Sequence, residues 1–320
     1  MDVSVCIVNW NTRALLRDCL RSIAAWTQGV AVEVIVVDNA STDGSVAMLR
    51  RAFPEVRLIA SEDNLGFARG SNLAASVATG DYLLYLNPDT ELRSNAIRGL
   101  RDFLATHPGH GAAGCRLLNT DGSLQATCAS DLPSPRNELA SLLLLDRLFP
   151  ASRWCAAREL NHWDHADSRD VACLSGACMM LPRPLAQALG GFDERHFMYG
   201  EDLDLCCRLR ATGARLHYLA GETIVHHEGA ASRKRGRGFA PLRQRAANYD
   251  VLRRNCGRRA ALGYRAAVAL GAGARVLGGA LALPLWSARD RASRPDLPDF
   301  VVRHAELVLW SLGLKKAGRR

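Results

Sequence analysis

The stretch "VSVCIVNWNTRALLRDCLRSIAAWTQGVAVEVIVVD" (residues 3–38) decides the fold. Two runs rich in apolar and β-branched residues, 3–10 and 32–38, flank a segment at 11–26 whose apolar residues recur at helical spacing. Strands that lack alternating polar residues are typical of a parallel sheet covered on both faces. The order of strand, helix and strand therefore predicts a β-α-β unit.

The same alternation continues along the chain. Further strands are predicted at residues 56–61, 81–87, 112–127, 171–183 and 214–227. Further helices are predicted at residues 41–53, 66–78, 95–108, 184–193 and 201–213. We therefore predict an α/β fold built on a doubly wound, mostly parallel sheet that is flanked by helices.

The charge of the chain is unevenly distributed. Its 320 residues are 48% hydrophobic, which is enough for a sizeable core, and its formal net charge is +9. Residues 1–232 carry 21 Lys and Arg against 27 Asp and Glu, whereas residues 233–320 carry 20 against 5. We predict a catalytic or binding domain at 1–232 and a basic, helical C-terminal extension at 233–320.

The cysteines and the start of the chain favour a cytoplasmic protein. The ten cysteines include no CxxC pair, so we expect small core side chains in a reducing compartment. The chain begins directly with a strand pattern, and no signal peptide is visible.

The extension mixes arginines with an Ala-, Leu- and Gly-rich stretch. Its longest uncharged run, 276–288, is shorter than a membrane span needs, so we expect an amphipathic segment on an anionic membrane surface. Nucleic acid is not an expected partner, because aromatic residues are not interleaved with the arginines.

The stretch "SRKRGRG" (232–238) is either a lid over a diphosphate or a solvated loop. The run "LASLLLLDRLF" (139–149) is either a buried helix or a lip over an acceptor site.

Two carboxylates end predicted strands. In an open parallel sheet, ligands bind at the carboxyl ends of the strands, where Asp38 and Asp89 stand. In "GDYLLYLNPDTEL" (80–92), Asn87, Pro88 and Asp89 come directly after the strand. A carboxylate there suits Mg²⁺ that also binds phosphate oxygens, although Asp89 could instead cap the next helix.

Polar and glycine residues near these strand ends are candidates for binding a nucleotide. They occur in "VVDNASTDGS" (36–45) and "NLGFARGSN" (64–72), which match neither the Walker loop nor the dinucleotide fingerprint, and ordinary turn chemistry is the alternative. The candidates for binding the nucleotide are Asn9, Asp38, Asn39, Ser41, Asp43, Asn64, Gly66, Arg69, Asn72 and Asn87.

A helix start carries the candidates for a general base. Glu201 and Asp202 follow Phe192, Phe197 and Tyr199 in the sequence. Aromatic surroundings raise the pKa of a carboxyl group, whereas a helix N-terminus lowers it, and the sequence leaves this balance open. One of the two acids could simply favour the helix dipole.

Adjacent histidines follow the last predicted strand in "VHHEGAAS" (225–232). An imidazole can complete a metal site of mixed nitrogen and oxygen ligands, so this pair is a candidate for metal binding.

Seven segments occur in an order that resembles a known family. They are "VSVCIVNWN", "VVDNASTDGS", "NLGFARGSNLA", "YLLYLNPDT", "SGACMMLPR", "GGFDERHFMYGEDLDLCCRLR" and "VHHEGAAS". Over about residues 3–232 the chain resembles the inverting family-two glycosyltransferases of the GT-A fold, and within them the bacterial rhamnosyltransferase branch.

The resemblance implies roles for individual residues. Asp38 would contact the nucleotide of the donor. Asp89 would be the metal-binding end of a DxD-type motif in which Asn87 replaces the first Asp, and the metal would be Mg²⁺ or Mn²⁺. Asp202 would be the general base. His227, rather than His226, would lie beside the metal, because it is followed by x-Gly and then Ser.

The resemblance also implies the activity. The expected enzyme transfers a sugar with inversion, rhamnose from dTDP-rhamnose, to a hydroxyl of a glycan or a polyprenyl-diphosphate-linked acceptor. It would serve bacterial lipopolysaccharide or cell-wall synthesis, on the inner face of the plasma membrane. The alternatives are a UDP-galactofuranose or UDP-glucose donor, a non-catalytic scaffold that binds sugar nucleotides, and a nucleotidyltransferase.

Overall fold

The chain divides into two compact units. The computed structural model describes residues 1–156, 158–197, 199–227, 239–282 and 297–316. The first unit comprises Met1–Asp131 and Asp164–Arg235, and the second comprises Leu132–Trp163 and Gly236–Arg320.

The elements alternate as the sequence predicts. The strands are β1 (Val3–Asn9), β2 (Val32–Asn39), β3 (Arg57–Ser61), β4 (Tyr82–Leu86), β5 (Thr90–Leu92), β6 (His110–Leu118), β7 (Ala129–Ser130), β8 (Arg169–Val171), β9 (Cys173–Leu174), β10 (Cys178–Pro182) and β11 (Arg215–His226). The helices are α1 (Arg13–Trp26), α2 (Ser45–Ala52), α3 (Gly66–Ser76), α4 (Ala96–Thr106), α5 (Pro135–Leu142), α6 (Leu145–Leu148), α7 (Arg183–Ala188), α8 (Glu201–Ala211), α9 (Phe239–Asn255), α10 (Arg258–Ala282) and α11 (Leu297–Ser311).

The first unit is built on one large sheet. Its strand order is β3-β2-β1-β4-β10-β6-β11-β5, and β8 pairs with β11. The neighbours among β1 to β4 run parallel, as do β6 and β11, while β10 runs antiparallel to β4 and β6. Helix α3 packs on β1 and β2, and α4 packs on β6 and β11. The predicted α/β class, with a mostly parallel sheet flanked by helices, is confirmed.

The predicted strand at 171–183 is broken into pieces. Only Cys178–Pro182 joins the main sheet between β4 and β6. Cys173–Leu174 forms a separate two-stranded ladder with β7. The turn between the two pieces, Ser175–Ala177, lies beside the end of β4, because the backbone N–H of Asn87 donates to the carbonyl of Ala177 at 3.0 Å.

A short link brings two distant strand ends together. Strand β5 follows β4 after only Asn87–Asp89, yet it pairs antiparallel with the end of β11. The register places His226 opposite Thr90, the residue after Asp89. The carboxyl ends of β4 and β11 therefore meet at this link, which is the edge of the sheet where ligands are expected.

The second unit is helical. Its core is formed by buried residues of α5, α9, α10 and α11, among them Leu142, Leu252, Tyr264 and Trp310. The hydroxyl of Tyr264 donates to Glu138 Oε2 at 2.9 Å, and Glu138 also pairs with a guanidinium from α9. The polar group of this buried tyrosine is thereby satisfied.

Residues 139–149 do not form the single buried helix that was one of the two expectations. Helix α5 ends at Leu142, and Leu144 adopts a left-handed φ of 61°, which breaks the helix before α6. The side chains of Leu148 and Phe149 are exposed. Residues 139–149 therefore contain the end of α5, which packs into the core, followed by exposed apolar side chains.

The predicted boundary at 232/233 falls among residues 228–238, which lie outside the described residues together with the predicted lid at 232–238. The second unit includes Leu132–Trp163, which the sequence assigned to the catalytic domain. The two predicted domains therefore stay a proposal. The grouping into compact units assigns residues 132–163 to the same unit as the C-terminal helices.

Helix α10 is amphipathic. Among the described residues it is the one helix long and apolar enough to cross a membrane by length and composition, whereas the sequence considered only an uncharged run at 276–288. Tyr264, Val268 and Ala272 pack into the helical core, and Leu270 and Leu277 on the other side are 66% and 67% exposed. One face of the helix is thus core and the other is an open apolar surface.

Candidate active site

The link after β4 places a carboxylate beside an imidazole. His226 Nε2 lies 3.3 Å from Asp89 Oδ1 and 3.2 Å from Asn87 Nδ2. Asp89 and His226 are 7% and 8% exposed, so both side chains reach the sheet edge from a largely buried position. The predicted pair of Asn87 and Asp89 therefore meets a third polar side chain from β11.

The orientation of His226 suits a cation. Its Nδ1 lies 2.7 Å from Gln125 Oε1, an oxygen that can only accept, so in the neutral ring Nδ1 carries the proton. The lone pair of Nε2 then faces the side of Asp89. An acceptor nitrogen beside a carboxylate oxygen is a donor set suited to a divalent metal, and a carbonyl on the other ring nitrogen fixes the ring as in known metal sites.

The structure brings His226, not His227, to Asp89. His227 Nε2 lies 2.7 Å from Glu91 Oε1, and only the backbone N–H of His227 reaches Asp89, at its carbonyl oxygen. Neighbouring residues of a strand point to opposite faces, so only one of the two imidazoles can face the Asp89 carboxylate. The expectation that His227 lies beside the metal is corrected here to His226, and metal binding itself stays a prediction.

Asp202 is held at the first turn of α8. Its Oδ2 accepts from the backbone N–H of Gly176 at 3.2 Å, and its Oδ1 accepts from the N–H of Leu203 at 2.8 Å. Gly176 precedes Ala177, whose carbonyl binds the N–H of Asn87. The predicted base and the predicted metal side chains therefore lie on either side of one short turn, although they are over a hundred residues apart in the chain.

Glu201 is a buried acid that the sequence did not single out from its neighbour. It is 8% exposed, and its Oε2 has no partner among the described residues. Burial, and then the charge of Asp202, raise the pKa of Glu201 to about 8. At neutral pH it is therefore a protonated acid beside the Asp202 carboxylate. The third acid of the turn, Asp204, pairs with Arg208 at 2.6 Å.

The donor candidates at the ends of β1 and β2 form one hydrogen-bonded cluster. Asn9 Nδ2 donates to Asp38 Oδ1 at 2.7 Å and to Ser41 Oγ at 3.1 Å. Asp38 Oδ2 accepts from the N–H of Ser41 at 2.9 Å. Asp38 is 1% exposed, so its carboxylate supports the loop after β2 from within the protein.

Two other candidates shape the local backbone. Asp43 accepts from the N–H and hydroxyl of Ser45 at 3.0 and 2.6 Å, at the start of α2. Asn64 accepts from the N–H of Gly66 at 3.0 Å, and the carbonyl of Gly66 accepts from Asn39 Nδ2, also at 3.0 Å. These contacts fit the alternative of turn chemistry, and binding of the donor by these residues stays a prediction.

Gly66 allows a close approach between two of the sequence motifs. Its φ is +81°, and a Cβ atom there would lie 2.6 Å from the carbonyl oxygen of Phe197. The N–H of Phe67 donates to the same carbonyl at 3.1 Å. Only glycine fits this position, which ties the start of α3 to the segment that leads to Asp202.

Arg69 and Asn72 face a different part of the unit. The amide of Asn72 donates to the carbonyl of Phe192 at 2.9 Å and accepts from the N–H of Phe192 at 2.8 Å. Arg69 pairs with Glu194 at 3.6 Å. Both side chains line a cavity of about 480 Å³ between α3 and α7. They therefore hold the loop before α8, and the part in donor binding predicted for them has no support from these contacts.

The fold defines the class of protein. The chain matches the mannosyltransferase PcManGT from Pyrobaculum calidifontis in complex with GDP-Man and Mn²⁺, with a TM-score of 0.56 and 20% identity, over 96% of this chain and 87% of that one. It matches GalNAc-T7 with UDP, GalNAc and Mn²⁺ with a TM-score of 0.53 and 14% identity, over 70% of this chain and 43% of that one. The fold is that of the GT-A glycosyltransferases.

The sequence matches then define the family. Glycosyl transferase family 2 matches residues 4–159, and Glycosyl transferase family group 2 matches residues 152–265. The chain is 31% identical over 214 residues, 62% of its length and 67% of the relative's, to the N-acetylglucosaminyl-diphospho-decaprenol L-rhamnosyltransferase of Mycobacterium tuberculosis. Rhamnosyltransferase WbbL of Escherichia coli is 25% identical over 51% of this chain and 61% of its own. The chain belongs to glycosyl transferase family 2, as its motifs predict.

Proposed function

We propose that this glycosyltransferase moves rhamnose from dTDP-rhamnose, with inversion, to a hydroxyl of a lipid-linked glycan. The observation that carries the proposal is that the Ser175–Ala177 turn binds Asp202 on one side and the backbone of Asn87 on the other, next to the pair of Asp89 and His226. The names of two relatives, a rhamnosyltransferase that acts on N-acetylglucosaminyl-diphospho-decaprenol and rhamnosyltransferase WbbL, support the sugar and the acceptor.

Asp89 and His226 are the residues that would hold Mg²⁺ or Mn²⁺, with Asn87 beside them. A divalent cation there supplies charge neutralisation for the departing nucleoside diphosphate. Two related folds were solved with Mn²⁺. Because the chain offers one carboxylate where a DxD motif offers two, most of the remaining ligands are expected to be phosphate oxygens and water.

Asp202 is the proposed general base. Two backbone N–H groups fix its carboxylate, and it takes the proton from the attacking hydroxyl. Attack from the face opposite the nucleotide inverts the anomeric centre without a covalent intermediate. Neutral Glu201 adds no second negative charge next to the base at pH 7. The loop supported by Asn9, Asp38 and Ser41 is the proposed wall of the nucleotide site.

The helical unit is proposed to rest on the inner face of the plasma membrane. Helix α10 exposes Leu262, Leu270, Leu277 and Leu281, which are 59–75% exposed and fall on one side of the helix. The chain around it is strongly basic. An apolar face beside basic residues suits the interface of an anionic bilayer, which is where a lipid-linked acceptor resides.

A panel of nucleotide sugars tests the donor. The full chain would be heated with dTDP-rhamnose, UDP-galactofuranose, UDP-glucose and GDP-mannose, each with Mn²⁺ or EDTA. A donor at 100 times its Kd stabilises the fold by about 2.7 kcal/mol. We expect dTDP-rhamnose with Mn²⁺ to raise the Tm most. A larger shift with a UDP-sugar would replace the proposed donor.

The same panel separates the other classes of protein. Release of a nucleoside diphosphate in the presence of acceptor identifies a transferase, whereas release of inorganic diphosphate from a nucleoside triphosphate identifies a nucleotidyltransferase. Binding of a donor without any transfer, and cellular glycan that is unchanged in an Asp202→Asn strain, would identify a non-catalytic scaffold.

A further inference from the structure

The helical unit contains a cavity that the glycosyl-transfer chemistry does not use. Its volume is about 460 Å³, and its walls come from α5, α6, α9, α10 and α11 and from the segment around Asn161. This size is within the range of small-molecule sites. All of its lining residues belong to the second unit.

Four arginines line this cavity: Arg147, Arg245, Arg275 and Arg303. Arg245 is fixed by Glu138 at 2.6 Å. Arg275 donates to the carbonyls of Ser141 and Leu142 at the end of α5. The guanidinium groups of Arg147 and Arg303 form no ion pair with any carboxylate among the described residues. Arg303 Nε donates to the carbonyl of Asp299 at 3.2 Å, which leaves its terminal N–H groups to a ligand.

The positive charges in the cavity outweigh the acids. Asp146, Glu159 and Glu306 also line it. With Glu306 paired to Lys315 and Arg245 paired to Glu138, three arginines remain against two acids. The pKa of His304 is lowered by burial, with Arg275, Arg245 and Arg303 adding to the effect. The pKa of Arg275 is likewise lowered by burial and by two neighbouring arginines. Cations that repel one another in a partly buried cavity are stabilised by an anion.

The cavity also has an apolar part to its wall. Leu142, Leu242, Phe300 and Leu307 line it together with the arginines, and the guanidinium of Arg275 lies 5.8 Å from the ring centroid of Phe300. A small inorganic anion would leave this apolar wall uncovered. A ligand that joins phosphate groups to a hydrocarbon chain would cover both parts.

We propose that this cavity binds the phosphate groups and the first isoprene units of a polyprenyl-phosphate-linked acceptor. Arg147 and Arg303 contact the phosphate oxygens, and Arg245 and Arg275 supply the surrounding positive charge. Arginine is suited to this role because its planar donors match phosphate geometry. The inference rests on the proposed function, since it gives the lipid part of the proposed acceptor a binding site.

The test measures binding of farnesyl diphosphate to the full chain by calorimetry. EDTA is present throughout, so that diphosphate cannot bind through a metal at Asp89 and His226. Inorganic diphosphate and farnesol are the two partial ligands. The variant Arg147→Gln/Arg303→Gln is compared with Arg258→Gln/Arg259→Gln, which removes the same charge at exposed positions outside the cavity.

We expect farnesyl diphosphate to bind the wild type more tightly than either partial ligand. Each lost charge-assisted hydrogen bond weakens binding about tenfold or more, so the cavity variant loses roughly 100-fold and the control stays within about threefold. Equal affinity in the two double variants overturns the proposal. Inorganic diphosphate that binds as tightly as farnesyl diphosphate also overturns it, because the apolar wall would then have no role.

The failure of this inference can be told from failure of the proposed function. The melting temperature with nucleotide sugar and Mn²⁺ is measured on both double variants, and an unchanged shift shows that the chain is folded. If no nucleotide sugar shifts the wild type but farnesyl diphosphate binds as expected, the proposed function fails and the cavity stands. If a nucleotide sugar binds and farnesyl diphosphate does not, only the cavity is overturned.

Discussion

The two units handle charge in opposite ways. At the sheet edge of the first unit, the carboxylates of Asp89 and Asp202 are oriented by an imidazole and by backbone N–H groups. In the cavity of the second unit, Arg147 and Arg303 lack a carboxylate partner among the described residues. We propose from this difference that the first unit is suited to a cation and a proton, and the second, basic unit to an anion.

The contrast is also one of rigidity. The acids of the first unit stand after a strand end and on the first turn of a helix, where an imidazole contacts Asp89 and two backbone N–H groups fix Asp202. The cationic side chains of the second unit stand on helix surfaces with long, flexible stems. Chemistry needs side chains placed to a fraction of an ångström, whereas recognition of a charged lipid tolerates looser placement.

Removal of the proposed base gives the largest expected effect. Asp202→Asn keeps the shape of the side chain and removes its basicity, so kcat should fall by roughly 10³-fold. Stabilisation by the nucleotide sugar should be unchanged, because the proposed base acts on the hydroxyl of the acceptor and not on the nucleotide. Glu62→Gln, at an exposed position of the same unit, is the control. A variant that keeps wild-type kcat would break the assignment of chemistry to the acidic unit.

Glu201 gives a pH-dependent effect on stability. Its folded-state pKa of about 8 lies above its ordinary 4.5, so the unfolded chain loses a proton that the folded chain keeps. The stability that this acid contributes is therefore fully present below about pH 4.5 and is lost as the pH rises to about 8. At about 1.4 kcal/mol per unit of pKa, the loss is on the order of 5 kcal/mol.

Glu201→Gln should remove this slope. Urea unfolding between pH 5 and pH 9 should show the variant gaining on the wild type as the pH rises. Parallel curves for the two proteins would mean that Glu201 ionises inside the fold as it does in water.

Substitutions of the adjacent histidines test which imidazole belongs to the proposed metal site. His226→Ala should weaken Mn²⁺ activation by about 100-fold, and Gln125→Leu by about tenfold, because the amide oxygen orients the imidazole. His227→Ala, which loses only its contact with Glu91, should change the Mn²⁺ requirement by less than threefold. The measurement is kcat/KM against Mn²⁺ concentration. The reverse order would return the metal to His227.

The exposed leucines of the basic unit give the smallest expected effect. Leu277→Gln/Leu281→Gln removes apolar area that would enter the interface, and it should weaken binding to anionic vesicles about tenfold. Kinetics with a soluble acceptor should not change. Trp26→Gln, at a 44% exposed position of the first unit, is the control. Equal loss in both variants would remove the leucine face from the proposed membrane contact.

The alternation of strands and helices could be predicted, because each buried strand carries a continuous apolar signal. The position of Asp89 at a strand end followed from the same signal. The choice between His226 and His227 could not be predicted, since a shift of one residue in a strand exchanges its two faces. The ladder sets His226 opposite Thr90 and His227 opposite Asp89, so only the side-chain contact of His226 Nε2 with Asp89 Oδ1 shows which imidazole turns toward Asp89.

Other parts of the site depend on contacts between distant segments. Asn72 is hydrogen-bonded to the backbone of Phe192, which lies 120 residues away, so its neighbours in sequence give no sign of this role. The burial of Glu201 is likewise a tertiary property, as neighbouring acids at a helix start look equivalent in a sequence. Gln125 carried no signal either, because it stands in a predicted hairpin without a motif.

Gly66 joins the donor side of the first unit to the helix that bears Asp202. The carbonyl of Phe197 occupies the space that any larger residue at 66 would need. A methyl group there would displace the carbonyl of Phe197. The change at the start of α3 would therefore be transmitted to the segment that leads to α8. Variation at this position should therefore register both as a slower turnover of bound substrate and as a weaker hold on the sugar nucleotide, for which Gly66 is a proposed contact.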